Sequence, residues 1–336
     1  MGGRTGRVLP IAAMASLAAC GSAGPPAPAT ATPTPAAVSA RYFPDGSPWY
    51  QDVSTAPVDA ESDRVIAFLD RAGWGTGSMR IDFSIEVLQA TAQTPLLSFQ
   101  PTSDFYLPDC DQQPVPVPPG GALEGESGYE CIGGGDCHLI VVDRLRMRLF
   151  EMWRADIRGG AFSGGCLAVW DMTRLYPPSG RGEQCTSADA AGFPIAPLLF
   201  DADEVEAGVI DHAVRFVLPN ARIRSGVYVH PATHAGAPQG PADAPPYGAR
   251  LRLKAGYPLT SLPGGAQVVA RAMQRYGMLL ADGGEITLIA RADRFTAAKW
   301  AGLLEADSLA ALRPSDFEMV DGGVRIPLTY DCVRNP

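Results

Sequence analysis

Two acidic side chains stand alone in apolar, strand-like stretches of the sequence. In MRLFEMW, residues 147–153, the alternation of a strand makes Glu151 the only charge on a face that also carries Trp153. In LAVWDM, residues 167–172, Asp171 ends a similar apolar strip. Burial raises the pKa of a carboxyl group, as a general acid requires. If these strands pair, Glu151 as acid and Asp171 as base or nucleophile can reach the roughly 5 to 9.5 Å separation of glycosidase carboxylates.

The same strips contain groups that suit a sugar ligand. Trp153 and Trp170 offer flat apolar faces on which sugar rings stack, so the sequence predicts a carbohydrate site beside the carboxylates. The alternative is structural: Glu151 forms a buried ion pair with Arg250 or Arg252 and holds two sheets together.

Three of the four histidines lie between residues 210 and 236. His230 and His234 have the i, i+4 spacing that binds a metal on a helix. However, Pro231 follows His230 directly, and the flanking residues are typical of strand and loop. No carboxylate stands at a fixed spacing to complete a ligand set. The sequence therefore predicts no metal site and no cofactor.

His212 allows two interpretations. As part of a strand IDHAVRF, residues 210–216, it shares an apolar face and is then a neutral core histidine. Alternatively it lies at the mouth of the strand beside Asp211 and near His234, where it acts as a general base or as a hydrogen-bond donor to sugar. We include His212 among the candidate catalytic residues.

Further polar and aromatic side chains are predicted to contact substrate. Asp189 lies in TSADAAG, residues 186–192, where capping of a turn is the alternative role. Tyr228 suits a cleft, although aromatic residues of β domains usually belong to the core. Ser187 is not in a GxSxG elbow, which disfavours a serine hydrolase. With Trp153 and Trp170, the predicted substrate contacts are His138, Asp189, Tyr228, His234 and Arg250.

The cysteine content predicts disulfides. An even number of cysteines in an exported chain reads as up to three bridges, which six cysteines can form in fifteen ways. We expect Cys166 to pair with Cys185, and Cys110 to pair with Cys131 or Cys137. Beyond Cys20, the cysteines are Cys110, Cys131, Cys137, Cys166, Cys185 and Cys332.

Abundant glycine and proline, 37 and 31 residues, divide the chain into short segments. Helical spacing predicts α-helices at the end of 47–70, in 264–280 and in 296–314. Alternation predicts the remaining elements as strands, giving a mainly-β fold, a sandwich or irregular barrel with two or three peripheral helices. An α+β fold is the alternative. The predicted strands are 81–88, 138–143, 147–157, 164–172, 209–219, 225–231, 249–256 and 285–292.

The first forty residues predict export and lipid anchoring. Residues 1–19 combine a basic start, an apolar run too short to span a bilayer, and a Leu-Ala-Ala-Cys ending that resembles a bacterial lipobox. Cys20 is the predicted lipidation site and so the predicted contact with the membrane. Residues 20–40, rich in Pro, Ala and Thr, form the anchor and an extended tether. The body, 41–336, is then a single mainly-β domain held at the outer membrane or cell surface.

A longer resemblance covers about residues 47–320. The stretch TSADAAGFPI, an acidic DEV and GVIDHAVRF resemble a widespread, largely uncharacterised family of secreted bacterial proteins with SADAAGLPI and GxIxHALRF motifs. The stretches HLIVVD, YVHPATHAG, RLRLKAG and ARAMQRYGMLLADGG extend the likeness. His212 and His234 occupy the family's histidine positions, and His230 departs from its pattern. The resemblance implies an exported, β-rich protein and implies no particular reaction.

Charge completes the functional prediction. The net charge of −9 disfavours nucleic acid, whose backbone needs a basic surface. Export, the tethered β body and the lone carboxylates near tryptophans predict a hydrolase or lyase of an extracellular or cell-wall polysaccharide. The alternative is a non-catalytic envelope module that binds glycan or a protein partner.

Overall fold

The computed structural model describes residues 2–3 and 41–336 of the chain. The predicted tether, Cys20 and nearly all of the predicted signal peptide therefore lie outside the described residues. Residues 41–336 belong to one compact unit.

Strands predominate over helices, which confirms the predicted mainly-β class. The described residues contain three α-helices, α1 (Ser62–Ala72), α2 (Ala202–Ala207) and α3 (Gly264–Arg275). They also contain single-turn 3-10 helices at Pro48–Tyr50, Ala196–Leu198, Asn220–Arg222, Leu259–Ser261 and Pro314–Asp316. The strands are β1 (Ile81–Ile85), β2 (Val87–Gln89), β3 (Leu96–Leu97), β4 (Gln100–Pro101), β5 (Val115–Pro116), β6 (Leu139–Asp143), β7 (Arg148–Trp153), β8 (Asp156–Arg158), β9 (Ala161–Gly164), β10 (Cys166–Asp171), β11 (Gly182–Glu183), β12 (Val214–Leu218), β13 (Val227–Tyr228), β14 (Arg250–Leu253), β15 (Met278–Gly283), β16 (Leu288–Arg291), β17 (Phe317–Val320), β18 (Ile326–Pro327) and β19 (Val333–Arg334).

Two larger sheets form the scaffold. A mixed six-stranded sheet has the order β1-β16-β12-β15-β14-β17, with β12 parallel to β15. A four-stranded sheet has the order β10-β7-β6-β2 and contains the predicted antiparallel meander of β6, β7 and β10. The other strands form two- and three-stranded ribbons, and the described strands make no closed barrel.

The apolar core joins the two sheets. Leu149 and Trp170 of the four-stranded sheet belong to the same buried cluster as Phe216 and Leu280 of the six-stranded sheet. The opposite face of the four-stranded sheet covers a second cluster, which includes Phe150. Because both of its faces are buried, this sheet reads in sequence as nearly continuous apolar runs such as HLIVVD.

Two predicted helical segments are corrected by the structure. Helix α3 ends at Arg275, and residues 278–280 belong to β15 instead. Gly277 adopts a φ of +71°, a left-handed conformation that stops the helix and turns the chain into the strand.

The segment 296–314 is a series of turns rather than a helix. Carboxylates bind its backbone: Asp203 of α2 accepts from the N–H groups of Ala297 and Ala298, and the nearby Asp293 accepts from that of Trp300. These bonds compete with a helical ladder.

Three disulfides are present, the most that the six cysteines allow. However, the expected pairing of Cys166 with Cys185 is wrong. Cys110 pairs with Cys166, so its expected bonding to Cys131 or Cys137 is wrong as well. Strand β10 carries Cys166, and Leu167 of that strand accepts a backbone hydrogen bond from Asp111, which brings the neighbouring Cys110 to the strand. The other bridges are Cys131–Cys137 and Cys185–Cys332.

Candidate functional site

Two adjoining cavities lie beside the TSADAAG segment. The first has a volume of about 640 Å³ and the second about 290 Å³. Asp136 and Asp282 line both cavities, so they mark the junction between them. We refer to the two cavities together as the cleft. Its walls bring together Asp189, His138 and His234 from the predicted set.

A buried ion network forms the floor of the cleft. Arg215 of β12 contacts the carboxylate of Asp189, and its Nη2 donates to Asp282 Oδ2 at 3.0 Å. Arg215 and Asp189 are only 2% and 0% exposed, so the pair is withdrawn from solvent. The second Asp189 oxygen accepts the backbone N–H groups of Ala191 and Phe193. Asp189 therefore shapes its turn, as the alternative interpretation predicted, while it also lines the first cavity.

His138 lies under the second cavity as an imidazolium. Its Nδ1 bonds to Glu124 Oε2 at 2.6 Å and its Nε2 bonds to the Ala188 carbonyl at 3.0 Å, so both ring nitrogens act as donors. Burial by itself lowers the pKa of His138, but the adjacent Glu124 carboxylate outweighs burial and raises it to about 9. His138 thus holds the TSADAAG segment and places a positive charge in the cleft.

His234 presents an unoccupied nitrogen to the first cavity. Its segment is docked by backbone bonds, in which Thr233 and His234 donate to the Ala191 carbonyl. Gly192, with a φ of +78°, permits this approach, because a Cβ there would lie 2.1 Å from the Thr233 hydroxyl oxygen. His234 Nδ1 donates to the Ala190 carbonyl at 2.9 Å, which leaves Nε2 unprotonated and without a hydrogen-bond partner among the described residues. Burial lowers the pKa of His234.

Apolar and aromatic side chains surround the mouth of the first cavity. Tyr106, Leu107 and Tyr330 are 51%, 75% and 56% exposed although all three line the cavity. Trp153 also lines it, and its indole N–H donates to Asp136 Oδ1 at 2.9 Å. The predicted contact role of Trp153 is therefore compatible with its position.

The expected carboxylate pair of Glu151 and Asp171 is not assembled. Strands β7 and β10 do pair, but in their register Glu151 lies opposite Ala168 and Asp171 lies opposite Arg148. Positions 168 and 171 differ by an odd number, so the two carboxylates project from opposite faces of the sheet.

Glu151 is a structural acid, outside the lining of either cavity. Its Oε1 accepts the N–H groups of Ile195 and Ala196 at 2.8 Å, and its Oε2 accepts the indole N–H of Trp170. Burial raises the pKa of Glu151 to about 7, as predicted, although these donors act in the opposite direction. The alternative pairing with Arg250 or Arg252 is not formed either.

Several predicted substrate contacts lie away from the cleft. Trp170 is fully buried in the main core and packs edge-on against Tyr176. Tyr228 is fully buried, with its hydroxyl bonded to Glu183 and Gln184. Arg250 is buried and donates to the Pro48 carbonyl at 2.7 Å. The sequence did not reveal that these three side chains are held in the interior of the fold.

His212 lies just before β12 rather than within it, and it lines a separate small cavity. Its Nδ1 donates to the Ala213 carbonyl at 2.7 Å, and its Nε2 lies 3.3 Å from Glu204. Burial by itself lowers the pKa of His212, but Glu204 raises it overall. His212 and His234 therefore do not share one site.

Sequence reasoning missed several cleft residues, among them Asp136, Arg215, Asp282 and Tyr330. Arg215 and Asp282 lie in stretches on which the family resemblance rests, which offered a usable signal. Asp136 lies in the glycine-rich loop CIGGGDC, and only the folded loop reveals its position. Tyr330 lines the cavity because the Cys185–Cys332 disulfide joins two segments that are distant in sequence.

Two groups of His, Cys, Asp or Glu side chains in the described residues have the proximity of metal ligands. Each contains two cysteines that form a disulfide, so their sulfurs are not available as thiolates. No helix within residues 2–3 and 41–336 is long and apolar enough to cross a bilayer.

Comparisons with protein-family models, curated proteins and solved structures returned no match to this chain. The resemblance to secreted bacterial proteins accordingly stays a prediction.

Proposed function

We propose that this chain is an exported, lipid-anchored protein that hydrolyses an extracellular or cell-wall polysaccharide in the cleft. The observation that carries the proposal is that one cavity is lined by His234, whose Nε2 is unbonded, and by the carboxylates of Asp136 and Asp282. The carbohydrate hypothesis is thereby kept, and its catalytic residues move from Glu151 and Asp171 to the cleft.

His234 has the properties of a general base. Its bond to the Ala190 carbonyl fixes the proton on Nδ1, so that the Nε2 lone pair is directed elsewhere. Because burial lowers its pKa, the imidazole is mainly in its neutral form at neutral pH, with the single proton on Nδ1. In our proposal Nε2 removes a proton from the attacking water.

The two junction carboxylates supply the complementary roles. Asp136 is exposed and bonded to Trp153 through only one oxygen, so its second oxygen is available to pass a proton from bulk water to the leaving sugar oxygen. Asp282 is held by Arg215 and by the N–H of Gly283. In our proposal this fixed carboxylate stabilises the positive charge of an oxocarbenium-like transition state.

The charge of the cleft favours hydrolysis over elimination. Elimination acts on uronate chains, whose carboxylates need uncommitted cations. The cleft's cations, Arg215 and His138, are already bonded to Asp or Glu. We therefore propose a neutral or amine-bearing glycan as substrate. The acidic side chains that line the cleft are Asp82, Asp109, Glu124, Asp136, Asp189, Asp282 and Glu285.

Two further observations support a surface location and a glycan ligand. Disulfides persist in oxidising compartments, so three of them support export, with the lipid on Cys20 as the proposed membrane anchor. The exposed Tyr106, Leu107 and Tyr330 at the cavity mouth provide surfaces for sugar rings.

The test uses the full chain, produced in an oxidising compartment and incubated with plant, microbial and cell-wall polysaccharides. New reducing ends report hydrolysis, ultraviolet-absorbing unsaturated ends report elimination, and pull-down reports binding. We expect reducing ends without unsaturated ends, and a loss of about 10²- to 10⁴-fold in Asp136→Asn and His234→Gln. Asp171→Asn, which removes a carboxylate outside the cleft, is the matched control and should retain activity.

Three outcomes would change the assignment. Activity that disappears in Asp171→Asn but survives in Asp136→Asn would place the reaction away from the cleft. Unsaturated ends would make the protein a lyase. Retention of a glycan without product would assign the cleft to a binding module, an alternative that the apolar rim favours.

A further inference from the structure

Residues 326–336, which we call the strap, contribute Tyr330 to the lining of the first cavity. Strand β18 pairs with β13, and β19 pairs with β11. Between these ladders, Cys332 is bridged to Cys185, the residue directly before the TSADAAG segment. The N–H of Thr329 donates to Gln184 Oε1 at 2.8 Å. The strap is therefore fixed on both sides of Tyr330.

Tyr330 crosses the mouth of the cavity. Its ring centroid lies 5.3 Å from that of His234 at an interplanar angle of 67°, an edge-to-face contact. Its hydroxyl donates to the Gly236 carbonyl at 3.1 Å. Its φ of +64° is unusual for a tyrosine, and such a conformation persists where the surroundings determine it.

Other contacts draw the strap onto the opposite wall. Arg334 donates to the carbonyls of Pro108 and Asp109 and to the carboxylate of Asp111. These residues adjoin Tyr106 and Leu107 of the apolar rim. The strap thus holds Tyr330 beside His234 with few backbone ladder bonds of its own.

We propose that Tyr330 is a positioning residue for His234, and that the Cys185–Cys332 disulfide holds Tyr330 over the imidazole. This one disulfide thereby keeps Tyr330 in the lining of the cavity. The proposal rests on the proposed function only in giving His234 a catalytic role; the positioning itself is a property of the fold.

The surroundings of His234 determine how its titration reports this arrangement. Its Nδ1 faces the Ala190 carbonyl, and the acidic groups that face it are Asp109 and Asp282, both of which raise its pKa. Burial, which lowers the pKa, is the larger effect. Removal of the Tyr330 ring exposes the imidazole and weakens that larger effect, so the pKa should move up toward 6.5.

The experiment is an NMR titration of the full chain labelled with ¹³C at histidine Cε1. The four histidines give four signals, and His234→Gln assigns the one of interest. We expect the pKa of His234 to lie below 6.5 in the parent protein and to rise toward 6.5 in Tyr330→Ala. Tyr330→Phe, which keeps the ring, should retain the parent value. Tyr106→Ala, at the same rim but without a ring contact to His234, is the matched control.

The disulfide is tested in the same way. Cys185→Ser with Cys332→Ser should reproduce the Tyr330→Ala titration, whereas Cys131→Ser with Cys137→Ser should leave the His234 titration unchanged. An unchanged His234 pKa in Tyr330→Ala overturns the positioning role even if the cysteine variant does not fold. An unchanged value in the folded cysteine variant overturns the role of the bridge. Absence of glycan cleavage in the parent defeats the proposed function alone, because the titration does not depend on turnover.

Discussion

The two sheets and the walls of the cleft are stabilised by different means. The sheets combine backbone ladders with an apolar core that extends from Leu149 to Leu280. Much of the cleft wall consists of loops, in which apolar side chains such as Leu107 remain exposed. All three disulfides lie in these walls, with Cys110, Cys137 and Cys185 directly next to the cavity residues Asp109, Asp136 and Thr186.

The difference indicates which parts of the fold depend on disulfide formation. Burial of apolar surface and ladder formation stabilise the sheets in any compartment. Loops that bury little apolar surface gain order from covalent bridges and from ion pairs such as Arg215 with Asp189. The scaffold should therefore tolerate reduction better than the cleft does.

The largest effect should follow loss of the bridge with the longest separation. Cys185–Cys332 spans 147 residues, against 56 for Cys110–Cys166 and 6 for Cys131–Cys137. Chain entropy predicts losses in the free energy of unfolding of about 5, 4 and 2 kcal/mol when each pair is replaced by serine. Urea denaturation of the three variants checks this order. The reverse order would show that the bridges act by some means other than loop closure.

Arg215→Met should lower the free energy of unfolding by about 3 to 5 kcal/mol, because it leaves the buried carboxylate of Asp189 without its cation. The matched control is Arg148→Met. Arg148 pairs with Asp171 at the surface, where such pairs contribute about 0 to 1 kcal/mol. Thermal and urea unfolding of both variants gives the comparison. Equal losses would remove the special role that we give to the buried network.

The sheet region should show its own pH dependence through Glu151. Its folded-state pKa of about 7 exceeds the ordinary 4.5, so the folded state binds the proton more tightly than the unfolded state. The contribution of Glu151 to the free energy of unfolding is therefore complete below pH 4.5. It is lost as the pH rises through 7, by roughly 3 kcal/mol in total.

Urea denaturation between pH 4.5 and 6, below the range in which the raised pKa values of His138 and His212 contribute, measures this slope. Glu151→Gln, which does not titrate, should flatten it. Asp171→Asn is the control, because bonds from Thr173 and Arg148 hold the pKa of Asp171 below its ordinary 3.8, outside the window. A slope that survives in Glu151→Gln would assign the dependence to another group.

The smallest effect on stability is expected at the rim of the cleft. Tyr106 is 51% exposed, so Tyr106→Ala should change the free energy of unfolding by no more than about 0.5 kcal/mol. The affinity of this variant for glycan should nevertheless fall, because the substitution removes the Tyr106 ring on which a sugar can stack. Calorimetry with the glycan retained in pull-down, beside urea denaturation, separates the two effects. Unchanged affinity would exclude Tyr106 from the binding surface.

The sequence predicted the scaffold better than the site, for a physical reason. Apolar runs separated by polar turns identified β6, β7 and β10, because each strand carries its own signal in the local sequence. The alternation of residues 147–153 identified Glu151 as a buried acidic residue. It did not show that the backbone N–H groups of Ile195 and Ala196 would donate to its carboxyl oxygen.

The cleft depends on contacts between distant segments, which no local pattern encodes. Tyr330 reaches His234 through the Cys185–Cys332 bridge, and Asp282 meets Arg215 across two paired strands. Of the predicted residues, Asp189, His138, His234 and Trp153 do line the cleft. The first three lie in stretches that carry the family resemblance.

The central claim is that the cleft binds the glycan, and the four histidines provide an internal test. His138 and His234 lie in the cleft, whereas His212 lines another cavity and His230 bonds to Glu183 outside it. The measurement is the ¹³Cε1 spectrum of the full chain during addition of neutral and amine-bearing oligosaccharides. We predict saturable shifts of the His138 and His234 signals with His212 and His230 unchanged. Saturable shifts confined to His212 or His230 would contradict the assignment of the cleft.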